Sequence, residues 1–419
     1  MAARDHRIRG FIAVFRDDAL RAATALDRRG ADGPLAGVPV AVKGDIDVAG
    51  HVTTFGGRGF STPAARDSDV VARLRAAGAV IVGSAAMPES LLPYTESTRY
   101  GVTENPAAPG RTVGGSSGGS AAVVAAGMVP VAIGEDVAGS IRIPASCAGV
   151  VGLLPTPGRI PGGPGPELFA GSRVLGPITT TAADAALVLD AIGGVRPEET
   201  ATSADPHASP TDAPRLRIGW TLRSPDRTVR VAREVAEATR AMAARLAALG
   251  HDVCEVDVRW PECGAVAYTR FYEGMRDLTR AAEHPQRLEL LTRQLGWLAP
   301  PKRVAARLRR RVAPARTALE AEFDRFDGLD LLLTPTLAIT VPPHGGLRTD
   351  PVTRFRRVQR LVAFTHPLNV TGHPAVSIPA GHTKQGWPIG AQLIARLGRD
   401  DTALRVAAEV LGEPASHDG

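Results

Sequence analysis

Three stretches of this 419-residue chain carry side chains suited to covalent chemistry. The first holds Lys43, in the apolar run Gly37-Val-Pro-Val-Ala-Val-Lys43-Gly-Asp-Ile-Asp, and it is one of three lysines set against 46 arginines. A composition this biased would supply Arg wherever positive charge alone is needed. Lys can give up its proton when desolvated, whereas a guanidinium stays charged. The competing reading is a strand-end lysine whose amine snorkels to solvent. The other two stretches are Gly114-Gly-Ser116-Ser117-Gly-Gly-Ser120 and Gly134-Glu-Asp-Val-Ala-Gly-Ser140-Ile-Arg142-Ile-Pro144. Clustered N–H groups can cradle phosphate, but the Gly-Lys-Ser/Thr ending and the dinucleotide glycine spacing are both absent. A flexible linker is a poor fit, because apolar helix and strand patterns follow too closely. Hydroxyls and amides packed into a core supply a nucleophile and donors for an oxyanion.

The elements around these stretches alternate. Residues 6–29 read as an amphipathic helix, with Ile8, Phe11, Ile12, Phe15 and Leu20 at near-helical spacing. Residues 38–42 form a short buried strand, 67–78 a helix closed by Gly78, and 80–82 a strand. Residues 120–126 read as a small-residue helix, 129–133 as a strand and 182–192 as a helix. Such alternation predicts an α/β protein with a parallel or mixed sheet. Residues 193–214, rich in Gly, Pro, Ser, Thr and Asp, read as a surface linker. Beyond it, 217–220 resembles an edge strand, 229–249 a long helix, and 265–325 a helical region broken at Pro300-Pro301. Strand patterns return at 331–333, 375–378 and 389–394, the last two joined by a hairpin at Lys384-Gln-Gly-Trp, and 401–411 is a final helix. Length alone allows two or three domains. The pattern fits better with one domain over 1–419: a core at 37–192, the linker, a helical insertion at 254–326, and a core return at 327–412.

Composition excludes several classes. The formal charge of +6 is modest, and its basic clusters at 302–316 and 354–360 alternate with apolar residues as solvated helix faces do. With only 4% aromatics, a nucleic-acid surface is not expected. Cys147, Cys254 and Cys263 form neither a disulfide framework nor a zinc spacing, which fits a reducing compartment. Cys147 reads as a small packed hydrophobe. His51, His344, His366, His373 and His382 are scattered without metal-ligand spacing. Charges in the first twenty residues break any signal core. The uncharged stretch 113–134 is half Gly and Ser, so it belongs inside a protein and not in lipid. A cytoplasmic protein, without membrane or nucleic-acid partners, is the expectation; a homodimer is compatible with it.

The run from Gly114 to Pro155 resembles the signature of the amidase signature family of serine hydrolases. That signature is a Gly-Gly-Ser-Ser-Gly-Gly-Ser loop followed by an Asp-x-Gly-Gly-Ser-Ile-Arg-x-Pro loop. Residues 37–46 resemble the family's catalytic-lysine segment. Asn105-Pro, Arg111, Gly176-Pro-Ile, Thr334-Pro-Thr336 and residues 364–392 extend the likeness over nearly the whole chain. The resemblance implies the amidase signature fold, a central mixed twisted sheet of about ten or eleven strands covered by helices on both faces. It implies an amidohydrolase that cleaves a carboxylic amide through an acyl-enzyme, needing no cofactor and no metal and taking a small-molecule amide.

Carried over position by position, the resemblance makes Ser140 the nucleophile, Ser116 a serine in a cis peptide and Lys43 the base, neutral when it acts. The N–H groups of Val137, Ala138, Gly139 and Ser140 become the oxyanion hole. Asp136 and Arg142 hold the nucleophile loop, Ser117 hydrogen-bonds near the lysine, and Ser90 and Leu91 contact substrate. The chain departs from the family pattern in three places. Ala138 stands where Gly is usual, with Val137 beside it in place of Thr or a similar small residue. Gly44-Asp45 replaces Asp-Asn, and Val113 replaces Pro. If position 138 needed φ > 0, Ala would strain it by about 1 kcal/mol or more. Alternative readings are the glutaminase subunit of a tRNA-dependent amidotransferase, an esterase, and a catalytically impaired binding protein of the same fold. Resemblance to stand-alone amidases, including those acting on aminohexanoate oligomers, is the stronger.

Overall fold

The computed structural model describes residues 2–30, 32–162, 169, 172–194 and 215–413. Its strands are β1 Phe11–Val14, β2 Pro39–Lys43, β3 Val80–Ala85, β4 Glu96–Ser97, β5 Gly101–Val102, β6 Val131–Asp136, β7 Val151–Leu154, β8 Val174–Thr179, β9 Arg217–Trp220, β10 Asp252–Glu255, β11 Leu331–Pro335, β12 Ala375–His382 and β13 Pro388–Ala395. The helices are α1 Ala2–Ile8, α2 Arg16–Arg29, α3 Asp69–Ala76, α4 Gly118–Ala125, α5 Arg142–Ala148, α6 Ala182–Ile192, α7 Arg233–Ala248, α8 Gly264–Ala281, α9 Leu290–Trp297, α10 Lys302–Arg309, α11 Val312–Arg325, α12 Pro351–Val362, α13 His366–Thr371 and α14 Asp400–Leu411. Eleven strands form one sheet in the order β1-β3-β2-β6-β8-β7-β12-β13-β11-β9-β10, and β4 pairs only with β5. The sheet is mixed: β2 runs parallel to β3 and β6, whereas β8 is antiparallel to β6 and β7.

Alternation along β2 decides which side of the sheet becomes the site. Val40 and Val42 pack into a core shared with α3, α6, α7 and α14, while Ala41 packs on the opposite face against α4 and α5. With a period of two, Lys43 follows Ala41 onto the α4 and α5 face. That face also receives the two Ser/Gly stretches, one leading into α4 and the other into α5.

Two expectations need correction. Residues 6–29 are not one helix: β1 interrupts them. Arg9 adopts a φ of 55°, Asp5 Oδ1 accepts from the Gly10 and Phe11 N–H groups, and Phe11 pairs with Ala85 of β3. Ile8, Phe11 and Phe15 suit a helix by spacing, but a strand partner far along the chain, Ala85 opposite Phe11, outweighs that local pattern. Residues 217–220 are not at the edge, because β10 adds outside them in parallel, with Asp252 opposite Arg217. β10 is short and polar at both ends, and this hides it from a periodicity argument. Residues 195–214 of the linker lie outside the described residues. The helical region between β10 and β11 divides into α8, α9, α10 and α11. No described helix is long and apolar enough to cross a membrane.

Candidate active site

Lys43 ends β2 with none of its surface exposed. Its Nζ lies 2.9 Å from Asp45 Oδ2, a carboxylate equally shut off from solvent. The pair is off the line of a hydrogen bond, and no other described group takes an Nζ donor. The intervening Gly44 is set by packing: a Cβ there would come within 2.5 Å of Ile12 Cδ1 and 3.1 Å of the Ala85 carbonyl oxygen. Behind the pair, Arg173 donates from Nη2 to the Asp45 carbonyl at 2.9 Å and pairs with Glu135 through Nε. Burial pushes the Glu135 carboxyl above its ordinary range, against the pull of Arg173.

The serine loop lies across this group. The Gly115–Ser116 peptide bond is cis. Ser116 Oγ is buried and has no hydrogen-bond partner among the described residues. Ser117 makes its hydrogen bonds to Glu135, whose carboxyl feels the Lys43 charge, and to the Ser140 carbonyl. Its hydroxyl donates to the Glu135 carbonyl (3.2 Å) and accepts from the Glu135 N–H (3.1 Å), while its own N–H donates to the Ser140 carbonyl (3.1 Å). One residue therefore ties the serine loop both to β6 and to the nucleophile loop.

Asp136 closes the nucleophile loop from inside. Its carboxylate accepts from the Gly139 N–H (2.6 Å), the Ile141 N–H (3.2 Å), the Arg142 guanidinium (3.1 and 3.2 Å) and the Asn369 amide (2.8 Å). Burial alone would raise this carboxyl, but the Arg142 charge and these hydrogen bonds hold it below its ordinary range. Arg142 is fully buried and also donates to Gln392 Oε1, the Thr365 carbonyl and Asn369 Oδ1. Thr365 Oγ1 in turn donates to the Ala138 carbonyl at 2.7 Å.

This framing decides which amides remain free. The Gly139 N–H is spent on Asp136. The N–H groups of Val137, Ala138 and Ser140 meet no acceptor among the described residues. Positive φ in the loop occurs at Gly139 (122°) and not at Ala138, so the alanine carries no left-handed strain. At Gly139 a Cβ would lie 2.3 Å from Thr365 Oγ1.

Ser116, Val137, Ala138 and Ser140 open together onto a cavity of about 260 Å³. Leu91 joins them, with a φ of 56°, while Ser90 is buried outside the lining. The remaining walls are mostly apolar: Phe169, then Tyr268, Phe271 and Tyr272 of α8, and Phe355 of α12. Cys147 sits in the apolar cluster beneath, its thiol pushed up to about 12 by burial. A cavity that presents two hydroxyls and free amides has the groups that acyl transfer needs.

Sequence reasoning missed the walls. Tyr268, Phe271 and Tyr272 recur at helical spacing in a chain poor in aromatics, and Asp350-Pro351 is a helix-start signal whose side chain accepts from the Val352 and Thr353 N–H groups. His366, one of the scattered histidines, is buried at the cavity.

The model of the family described as Amidase matches residues 1–404. A putative amidase, AmiB2, of Mycobacterium tuberculosis is 39% identical over 418 residues, covering 97% of this chain and 88% of that protein. The 6-aminohexanoate-cyclic-dimer hydrolase of Paenarthrobacter ureafaciens is 37% identical, covering 91% and 84% respectively. Among solved structures, a 6-aminohexanoate cyclic dimer hydrolase complexed with substrate superposes with a TM-score of 0.87 at 34% identity, covering 97% of this chain and 90% of that one.

Proposed function

This chain belongs to the amidase signature family of amide hydrolases, and from that premise we propose that it cleaves a carboxylic amide through an acyl-enzyme on Ser140. Ser140 Oγ attacks the carbonyl carbon, and its proton passes through Ser116 Oγ to a neutral Lys43 Nζ. The free N–H groups of Val137, Ala138 and Ser140 receive the oxyanion. Asp45 stabilises the ammonium that forms on Lys43, much as an acid orients the base of other hydrolytic triads. The proton returns by the same relay to the departing amine, and water then releases the acid from Ser140.

One observation carries the reading: among the described residues Lys43 Nζ and Ser116 Oγ are buried polar groups without hydrogen-bond partners, and Ser116 opens onto the same cavity as Ser140 and the free amides of its loop. Buried polar groups left unmet are rare, and a catalytic role is one of the few explanations for them. The test is hydrolysis of an aryl amide by wild type and by Ser140→Ala, Ser116→Ala and Lys43→Ala. Each substitution is expected to lower kcat/KM by about a thousandfold or more; a Ser140→Ala enzyme of wild-type rate would end the reading.

A further inference from the structure

One residue of the basic run on α12, which reads from sequence as a solvated helix face, belongs to the cavity wall. Arg354 lines the cavity together with Pro351, Phe355 and Val358 of the same helix. Among the described residues it is the one charged group in that lining. Burial pushes the Tyr268 and Tyr272 hydroxyls up and the His366 imidazole down, so all three are neutral near pH 7. His366 Nδ1 is occupied by the Val362 carbonyl at 2.9 Å. Asp226, the acid that acts on His366 and Tyr268, does not line the cavity; its carboxylate accepts from the Gln359 amide at 3.0 Å.

Arg354 is held and yet unneutralised. Its Nε donates to the Leu347 carbonyl and its Nη2 to the Thr349 carbonyl, each at 2.9 Å, which fixes the plane of the guanidinium. Nη1 has no partner among the described residues. No carboxylate pairs with Arg354, Arg356, Arg357 or Arg360 among the described residues. Ser140 is nearly closed off, whereas Phe355 and Leu298 of the same lining are exposed. The cavity therefore runs from the nucleophile, along apolar and aromatic walls, to a rim bearing a fixed, unpaired cation. Resting on the reading of Ser140 as nucleophile, we propose that this site prefers amides whose apolar part ends in a carboxylate, received by Arg354 while the scissile bond lies at Ser140.

Such a carboxylate gains a charge-assisted hydrogen bond from Nη1, in a setting where apolar walls limit screening. The test compares two 4-nitroanilides of equal chain length, that of octanedioic acid with one free carboxylate and that of 8-hydroxyoctanoic acid. Release of 4-nitroaniline gives kcat/KM for each. The wild type is expected to favour the carboxylate by about tenfold, less at high ionic strength. Arg354→Gln should bring the ratio of the two close to one, whatever it does to the absolute rates, and Arg354→Lys should restore part of it. A guanidinium that only braced residues 347–349 would slow both compounds alike, and an unchanged ratio in Arg354→Gln overturns the proposal. Turnover of the hydroxyl compound without a carboxylate preference also overturns it, and leaves the amidase reading standing. Failure to release 4-nitroaniline from either compound sinks both together.

Discussion

Lys43 and Asp45 face each other at 2.9 Å at the end of β2, and neither side chain reaches solvent. The residue between them, Gly44, has room only for hydrogen between Ile12 and the Ala85 carbonyl. In the usual family pattern Asp-Asn follows the lysine. In this chain the carboxylate is moved one position on, where it meets the amine. The departure thus sets a buried carboxylate against the Lys43 amine.

Removing that counter-ion has two consequences. Asp45→Asn keeps the shape and removes the charge, so it should lower kcat while KM changes little. Breaking one side of a buried pair also costs stability, about 3 kcal/mol. Steady-state kinetics and urea unfolding measure the two effects separately. A variant with wild-type kcat would remove Asp45 from the mechanism.

A second prediction concerns acid. Asp136 has its carboxyl held below the ordinary range, and such a group contributes stability above its unfolded value of about 3.9, lost as pH falls through the folded one. Asp136→Asn leaves Arg142 buried without its counter-ion and should cost about 3–5 kcal/mol at neutral pH. That difference should begin to shrink below about pH 4, where the unfolded wild type takes up the proton, and close as pH falls through the lower folded value. Urea melts of both proteins at neutral and acidic pH give the comparison, and a pH-independent gap would contradict it.

Much of this site was legible in the sequence. Lys43 stood out by composition, Ser116 and Ser140 by motif, and the strand that ends at Lys43 by its β-branched run. What the sequence hid depends on atoms that meet only on folding. Nothing local reveals that the Gly139 N–H would be taken by Asp136, that Ser117 would tie the serine loop to β6, or that Arg354 would turn into the cavity. In the fold, patterns set by burial were readable, as at Ala182–Ile192. β1 was not, since its pairing with β3 is decided far along the chain.

The oxyanion loop makes a third prediction. Because Ala138 lies outside positive φ, Ala138→Gly relieves no strain and should be neutral or destabilising, by up to about 1 kcal/mol. Gly139→Ala meets both a φ of 122° and Thr365 Oγ1, so activity should be lost. Thermal melts and kcat on one amide separate these outcomes. Stabilisation by Ala138→Gly would show that the alanine is strained after all.

Thr365 supplies a fourth. Its hydroxyl holds the Ala138 carbonyl, and so orients the next peptide without touching substrate. Thr365→Val should lower kcat and leave KM nearly unchanged, while Thr365→Ser restores most of the loss. Equal effects of Val and Ser would point to packing of the methyl group as the cause.

The central claim is that Ser140 is the acylated residue, activated by Lys43 through Ser116. Peptide mapping by mass spectrometry after treatment with a fluorophosphonate tests it most directly. The account predicts a single adduct, on the peptide carrying Ser140, absent in Ser140→Ala and formed far more slowly in Lys43→Ala. An adduct on another residue, or labelling of Lys43→Ala at the wild-type rate, would contradict it.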